Sequence, residues 1–349
     1  MFQLTRRHML AGLAGTAAMG SLATGFDRAA HAQGAPYVVN TYGGRWEKFW
    51  RAQLLPKLEP MLGRPVKLDI GLGNGWVSTF RAAGKDKSPF DVLMTNERYA
   101  VMLRDEGLLA PMPAAKITNL ADVYPLARYK NDAAVTGIVS PIGIAYRTDL
   151  VKAPPTTWRE LWDAKYKGQL GFYSVNNSLA VMFLMLAGKL FGKDELDLDT
   201  GFKKLAELKP FPQVDFSGAM APLLTQGQVA IAPIDFAEAV ALQQKGVPIG
   251  IVVPQDGVLM FDQSFNVAAN AADKDASCKY IDFMLSPEVQ TLLAKEFFTA
   301  PVNSKVKVPD ELQAAIPVSG DNVSKILTFD WQFVARNREV MLDRWAKEI

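Results

Sequence analysis

The sequence predicts an α/β protein of two domains that flank a cleft, the second domain inserted into the first through two strand-like crossings. Three observations lead there. Short β-branched runs alternate with amphipathic helical stretches, first over 37–110 and again over 168–255. Two long apolar runs, 136–151 and 258–270, join the two series. The chain has 349 residues, 49% hydrophobic and 21% charged, which is ordinary globular composition and enough for more than one core.

The first 32 residues read as an export signal and not as fold. Arg6-Arg7 precedes a short, mildly apolar, Gly/Ala-rich stretch, and Ala30-His31-Ala32 supplies a small-x-small cleavage site. The run Thr5-Arg6-Arg7-His8-Met9-Leu10 has the twin-arginine pattern. The stretch is too short and too weakly apolar for a membrane span. Cleavage after Ala32 removes both histidines, His8 and His31, so the mature chain from Gln33 has none. Ser-His-Asp, Cys-His and histidine-ligated metal chemistry are thereby excluded. The single cysteine, Cys278, lies in a helical pattern and reads as a buried structural thiol. The signal carries three of the 38 basic and one of the 36 acidic residues, leaving no net charge. Without a basic cluster the mature chain is not expected to bind nucleic acid or an anionic membrane.

In order, 37–44 reads as a strand ending in Gly43-Gly44. A helix follows over 45–62, with Trp46, Phe49, Trp50 and Leu54 at core spacing. Strand 65–73, helix 74–84, strand 90–96 and a helix from Glu97 complete a β-α-β-α-β series, for which a mainly parallel sheet is expected. Ligands of such sheets sit beyond the C-terminal strand ends, here Thr41-Tyr42, Gly73-Asn74 and Thr95-Asn96-Glu97. The second series has strand 168–174, a buried helix over 178–192, an acidic helix over 194–209, strand 228–235, a helix, and strand 249–255. Helices over 275–285 and 287–298 follow, the latter opened by Ser286-Pro287-Glu288 as N-cap, Pro at N1 and first-turn acid. A helix closes the chain. The expected division is 33–141 with 263–301 as domain 1, and 142–262 with 302–349 as domain 2. The hinge falls near Pro141-Ile142-Gly143 and Gln263-Ser264.

The blocks "YVVNTYGGRW", "FDVLMTN" followed by "LRDEGLLAPM", "GIAYRTDLV", "TTWRELWDAKYKGQLGF", "LLTQGQVAIAPIDFAEAVALQQKG", "VLMFDQSFNVAANAADKDASCKYIDFMLSPEVQ" and "TAPVN" run through the mature chain. In this order and spacing they resemble the periplasmic solute-binding proteins of ABC importers, most of all the spermidine/putrescine-binding type. The resemblance implies the two-domain, type II-like periplasmic-binding-protein fold with a two-strand hinge. It implies a monomer that needs no cofactor, metal or catalysis, captures a small cationic or zwitterionic solute, and delivers it to a permease in the inner membrane.

The resemblance also marks candidate ligand residues. Asp262, a carboxylate in an otherwise apolar strand, falls where polyamine binders hold an ammonium, with Phe261 beside it. Asp235 stands where those proteins place an aromatic residue. Thr95, Asn96 and Glu97 match a ligand-lining stretch. Ser174 and Asn177 lie where diamine binders supply carboxylates, so a second, distal ammonium lacks an obvious acid. Each has a structural reading beside the functional one. Asp262 could pair with a basic residue, Asp235 could cap the helix it precedes, and Glu97 could complement a helix dipole. Tyr42 and Phe261 could be packing aromatics or could cover an ammonium by cation–π contact. Arg45 could hold an anion together with the helix start at Asn177-Ser178, which is how an opine or aminophosphonate would bind. Ferric-ion binders use adjacent tyrosines, and the chain has no Tyr-Tyr pair. Intact-mass measurement of exported protein is expected to show loss of residues 1–32; a full-length chain in the membrane fraction would contradict the signal reading.

Overall fold

Residues 36–349 are described by a computed structural model. The signal reading lies outside the described residues. Strand β1 (Tyr37–Thr41) leads into helix α1 over 45–62, two α-helical stretches joined through one π turn at Trp50–Leu54. Strand β2 (Val66–Ile70), helix α2 (Gly73–Ala83), strand β3 (Val92–Thr95), helix α3 (Glu97–Asp105) and the short strand β4 (Leu109–Ala110) complete the first series. A run of 3₁₀ turns over 114–132 leads to the long strand β5 (Val135–Arg147).

The second series comprises β6 (Phe172–Tyr173), α4 (Ser178–Phe191), α5 (Leu198–Glu207), β7 (Gln213–Val214), α6 (Ser217–Thr225), β8 (Ile231–Asp235), α7 (Phe236–Gln244) and β9 (Ile249–Val252). Strand β10 (Leu259–Ala268) returns, followed by α8 (Lys274–Leu285), α9 (Pro287–Phe297), α10 (Trp331–Arg336) and α11 (Arg338–Glu348). The expected elements form, with differences at their ends. Only two residues of 168–174 enter a ladder, pairing with β7. Helix α6 was not anticipated, because Pro222 inside it and Gly218 at its start mask the helical pattern. The closing helix is broken at Asn337.

One mixed sheet runs through the molecule in the order β2-β1-β3-β10-β5-β8, with β4 on β10 and β9 on β5. The parallel expectation holds for β1 with β2 and β3. It fails from β10 onward, since β10 is antiparallel to β3, β4 and β5, and β5 is antiparallel to β8 and β9. The physical reason is that the chain crosses out on β5 and returns on its neighbour β10. Both crossings are buried along most of their length, which explains their near-continuous apolar sequence.

The sheet carries two cores. One contains Tyr37, Trp50, Phe265, Tyr280 and Met284, with a satellite of Trp76, Phe80, Phe90 and Leu103 under α2 and α3. The other surrounds α4, with Trp158, Phe172, Phe183, Phe202 and Trp345. In the tail, Val302, Ile316 and Ile326 pack into the first core, and Trp331 and Trp345 into the second. Cys278 is buried and unpaired, as expected.

The crossing has a defect at its centre. Gln263 pairs with Ile138 but Ser264 with Thr136, so Gly137 is an extra residue on β5. Such a bulge bends a strand and re-aims side chains. The Gly137 carbonyl accepts from the buried Gln290 side chain at 2.8 Å, so it is not left unsatisfied. A Cβ on Gly137 would approach the fully buried Phe265 ring, with Cδ2 at 2.6 Å and Cζ at 2.9 Å. Gly137→Ala is therefore expected to destabilise the protein by about 1–3 kcal/mol, the usual cost of overpacking a filled core. A urea titration checks it; an unchanged midpoint would mean that the bulge has room to spare.

Candidate functional site

The C-terminal ends of β1 and β3 separate after a single ladder pair, Val39 with Val92. The Asn40 side chain then takes over, exchanging two 2.7 Å hydrogen bonds with the Met94 backbone. Strand β10 brings Asp262 to these strand ends. Asp262 is 2% exposed and lies one residue before the register shift. Its Oδ2 accepts the Glu97 N–H, the first of α3, at 2.7 Å, and has a long 3.5 Å contact from the Tyr129 hydroxyl. The Asn96 amide donates to the Asp262 carbonyl. The partner of this carboxylate is a helix N-terminus supplied from another strand, not an arginine or lysine. Burial pushes the Asp262 carboxyl up from 3.8 to about 7, against the hydrogen bonds of Tyr129 and Asn96 and the charge of Arg104.

Glu97 is 4% exposed and forms an ion pair with Arg104, two turns further along α3. This goes beyond the helix-dipole reading. Arg104 also donates to Asn266 Oδ1 at 2.7 Å, and its guanidinium lies 5.5 Å from the Tyr129 ring centroid. Burial lowers the Arg104 pKa. Glu97 Oε2 and the Thr95 hydroxyl are buried without a hydrogen-bond partner. Tyr42 donates to Gln263 Oε1 at 2.8 Å and lies between Trp46 and Trp76, with centroids at 6.1 and 5.4 Å. Its hydroxyl pKa is raised by burial and further by the nearby Asp262. Phe261 is half-buried and packs on the second core.

Asp235 ends β8 opposite Ile142 on β5, three residues along that strand from Val139, the partner of Asp262. It caps α7 as the local sequence suggested, accepting the Glu238 N–H at 3.0 Å. It is 7% exposed, and burial raises its pKa against hydrogen bonds from Ser217 and Glu238. Burial and Asp235 also raise the Glu238 pKa. Tyr173 donates to Ser217 Oγ at 3.2 Å. Ser174 and Asn177 converge on Asp215, the former on its carboxylate and the latter on its carbonyl at 2.9 Å. Asn177 also caps α4 through Leu179 N–H at 2.8 Å.

The fold thus groups Tyr42, Thr95, Asn96, Glu97 and Asp262 at one set of strand ends. Asp235 stands across β5 from them, and Ser174 and Asn177 surround Asp215. Sequence reasoning missed Tyr129, Gln263, Ser217 and Asp215. Tyr129 sits among 3₁₀ turns with no periodic signal, whereas Gln263, the neighbour of Asp262 in an apolar strand, could have been noticed. Arg45 is not available to an anion, since it pairs with Glu296 at 2.8 Å and lies over Phe297.

Residues 63–318 match the family of bacterial extracellular solute-binding proteins. The spermidine/putrescine-binding periplasmic protein of Escherichia coli K12 is 27% identical over 300 residues, covering 83% of this chain and 82% of its own. A Salmonella typhimurium protein named as a candidate 2-aminoethylphosphonate-binding periplasmic protein is 26% identical over 285 residues, covering 79% and 81%. The crystal structure of an ABC transporter protein from Clostridium perfringens superposes with a TM-score of 0.80 at 21% identity, covering 89% of this chain and 99% of that one, and shares the fold.

The raised pKa of Asp262 has a signed consequence. An acid whose folded pKa lies above its unfolded value favours the fold when protonated; that stability is complete below about pH 4 and lost as pH rises through about 7. Asp262→Asn keeps an acceptor for the Glu97 N–H and removes the titration. The melting temperature of the ligand-free variant, relative to wild type, is expected to be higher at pH 8 than at pH 4.5. A variant that melts below wild type at pH 8 would assign Asp262 to a structural charge pair.

Proposed function

Since the chain belongs to the bacterial extracellular solute-binding protein family, we propose that it is the periplasmic substrate-binding component of an ABC importer. In this reading it is a monomer, exported and cleaved after Ala32. It captures a small amine-bearing, polyamine-like solute between its two domains and hands it to an inner-membrane permease. The division falls at the crossings on β5 and β10, but the tail as far as Ile326 goes with the first domain and not the second, because Val302, Ile316 and Ile326 pack into the first core. In this reading the protein is a binder and not an enzyme: the mature chain has no histidine and its one thiol is buried, so histidine-activated and cysteine nucleophiles have no candidate.

The observation that carries the charge of the ligand is the pair of acids. Asp262 and Asp235 are both buried, and neither takes part in an ion pair among the described residues. A buried carboxylate satisfied only by neutral donors is costly to ionise, and an arriving ammonium removes that cost with charge-assisted hydrogen bonds. Domain closure then excludes water and strengthens each contact. Tyr42 would cover the cation beside Asp262. The relatives that bind polyamine by name support this reading.

A zwitterionic ligand, as the aminophosphonate-named relative suggests, is the second reading. It is favoured by the partnerless Thr95 hydroxyl and by the start of α2, where the N-cap is Leu72 and no side chain caps the helix. An anion there would satisfy donors that the protein leaves open.

Calorimetric titration with putrescine, spermidine, 4-aminobutyrate and 2-aminoethylphosphonate separates the readings, the first two by amine alone and the last two by both groups. For whichever binds, Asp262→Asn is expected to weaken affinity by roughly thirtyfold or more, as for one partner lost from a buried charge pair. Wild-type affinity is expected to rise as pH increases from 6 to 8, because binding requires the ionised Asp262. Equal affinity in variant and wild type would remove Asp262 from the ligand.

A further inference from the structure

Helix α3 starts beside Asp262 in the first series and lies between the two cores. Ala100 and Leu103 pack into the satellite of the first core. Val101 and Met102, on another face, pack against the second, which includes Val334 and Met341. At the C-terminal end of the helix, Gln332 of α10 donates to Asp105 Oδ2 at 2.7 Å. Near the N-terminal end, Arg98 reaches across to the second series. Its Nη2 donates to the Val175 carbonyl at 2.9 Å and its Nη1 to the Asn176 carbonyl at 3.2 Å. Those carbonyls belong to the loop that holds Ser174 and Asn177.

Arg98 is unusual among the arginines near the cleft in having no carboxylate partner: it enters no ion pair among the described residues. Its guanidinium lies 5.8 Å from the Tyr99 ring centroid. Burial lowers its pKa, and the charge of Arg338 lowers it further. A half-buried guanidinium held by two neutral carbonyls leaves no buried counter-charge behind when it is released. Release would cost two charge-assisted hydrogen bonds and return the hydration of the cation. A carboxylate partner would instead have been left as a buried, uncompensated charge on opening. Such a contact suits a joint that must open and close.

We propose that Arg98 is the latch of the cleft, a positioning residue that draws the 174–177 loop of the second domain onto α3 when the domains close, with Val101 and Met102 as the pivot beneath it. The Glu97 N–H held by Asp262 precedes Arg98 by one residue, so the ligand anchor and the latch share one helical turn. This rests on the reading of the cleft as a closing solute site, but the test uses no solute.

Lys87 and Lys193 are exposed, one in each domain, and can carry spin labels as cysteines in a Cys278→Ser background. Pulsed electron–electron resonance then reads the interdomain distance in the ligand-free protein. Arg98→Met keeps the stem over Tyr99 and removes every N–H donor; Arg98→Ala removes both. Each is expected to move the open-to-closed ratio roughly tenfold towards the open form, as loss of hydrogen bonds from a charged donor implies. Far-UV circular dichroism confirms that each variant is folded. If Arg98→Ala does not fold, Arg98→Met decides alone. A distance distribution identical to wild type, or shifted to shorter values, overturns the latch. Should wild type bind none of the amines while the variants still open, the ligand reading fails and the latch stands.

Discussion

A carboxylate buried in a strand must be matched by something, and at Asp262 the match is the first N–H of a helix that begins where a neighbouring strand ends. This constraint orders much of the molecule. It requires β10 to lie beside β3, so that Asp262 faces the start of α3. The bulge at Gly137 lies beside it and changes the register one residue later. The same constraint sets Asn96 at the Asp262 carbonyl, tying the turn between β3 and α3 to the same strand. A basic partner would have satisfied the charge more simply; the helix N–H leaves the carboxylate without a counter-ion.

The two domains use their acids differently. On the first side, Glu97 is neutralised internally by Arg104, which leaves Asp262 as the carboxylate free of a counter-ion. On the second, burial raises the pKa of both Asp235 and Glu238, that of Glu238 further through the neighbouring Asp235, and Ser217 and Tyr173 supply neutral donors beside them. Neither Asp262 nor Asp235 has a counter-ion among the described residues, and burial raises the pKa of both. A cation beside either buried acid would favour its ionised form and lower the raised pKa.

Much of this was legible in the chain. The strand–helix alternation, the two crossings and the caps at Asp235 and Ser286 follow from local patterns, because caps and periodicity act within a few residues. Asp262 stood out because an acid in an apolar run violates the pattern of its own strand. The antiparallel return of β10 was not legible: pairing direction depends on which strands become neighbours. The same holds for Tyr129, Arg98 and Asp215, whose partners lie 133, 78 and 41 residues away and leave no local trace. Glu97 was half legible, its place in the first helical turn from sequence and its ion pair with Arg104 only from structure.

The aromatic rings around Tyr42 carry one more consequence. Tyr42 contacts Trp46 and Trp76, and Trp76 donates its indole N–H to Asp69 at 3.0 Å. Trp46 in turn stacks on Phe297 with the rings 3.7 Å apart and nearly parallel. Two indoles therefore stand one ring removed from the hydroxyl that senses the Asp262 charge. Indole emission responds to local electric fields, so the ionisation of Asp262 is expected to shift the fluorescence of the unlabelled protein.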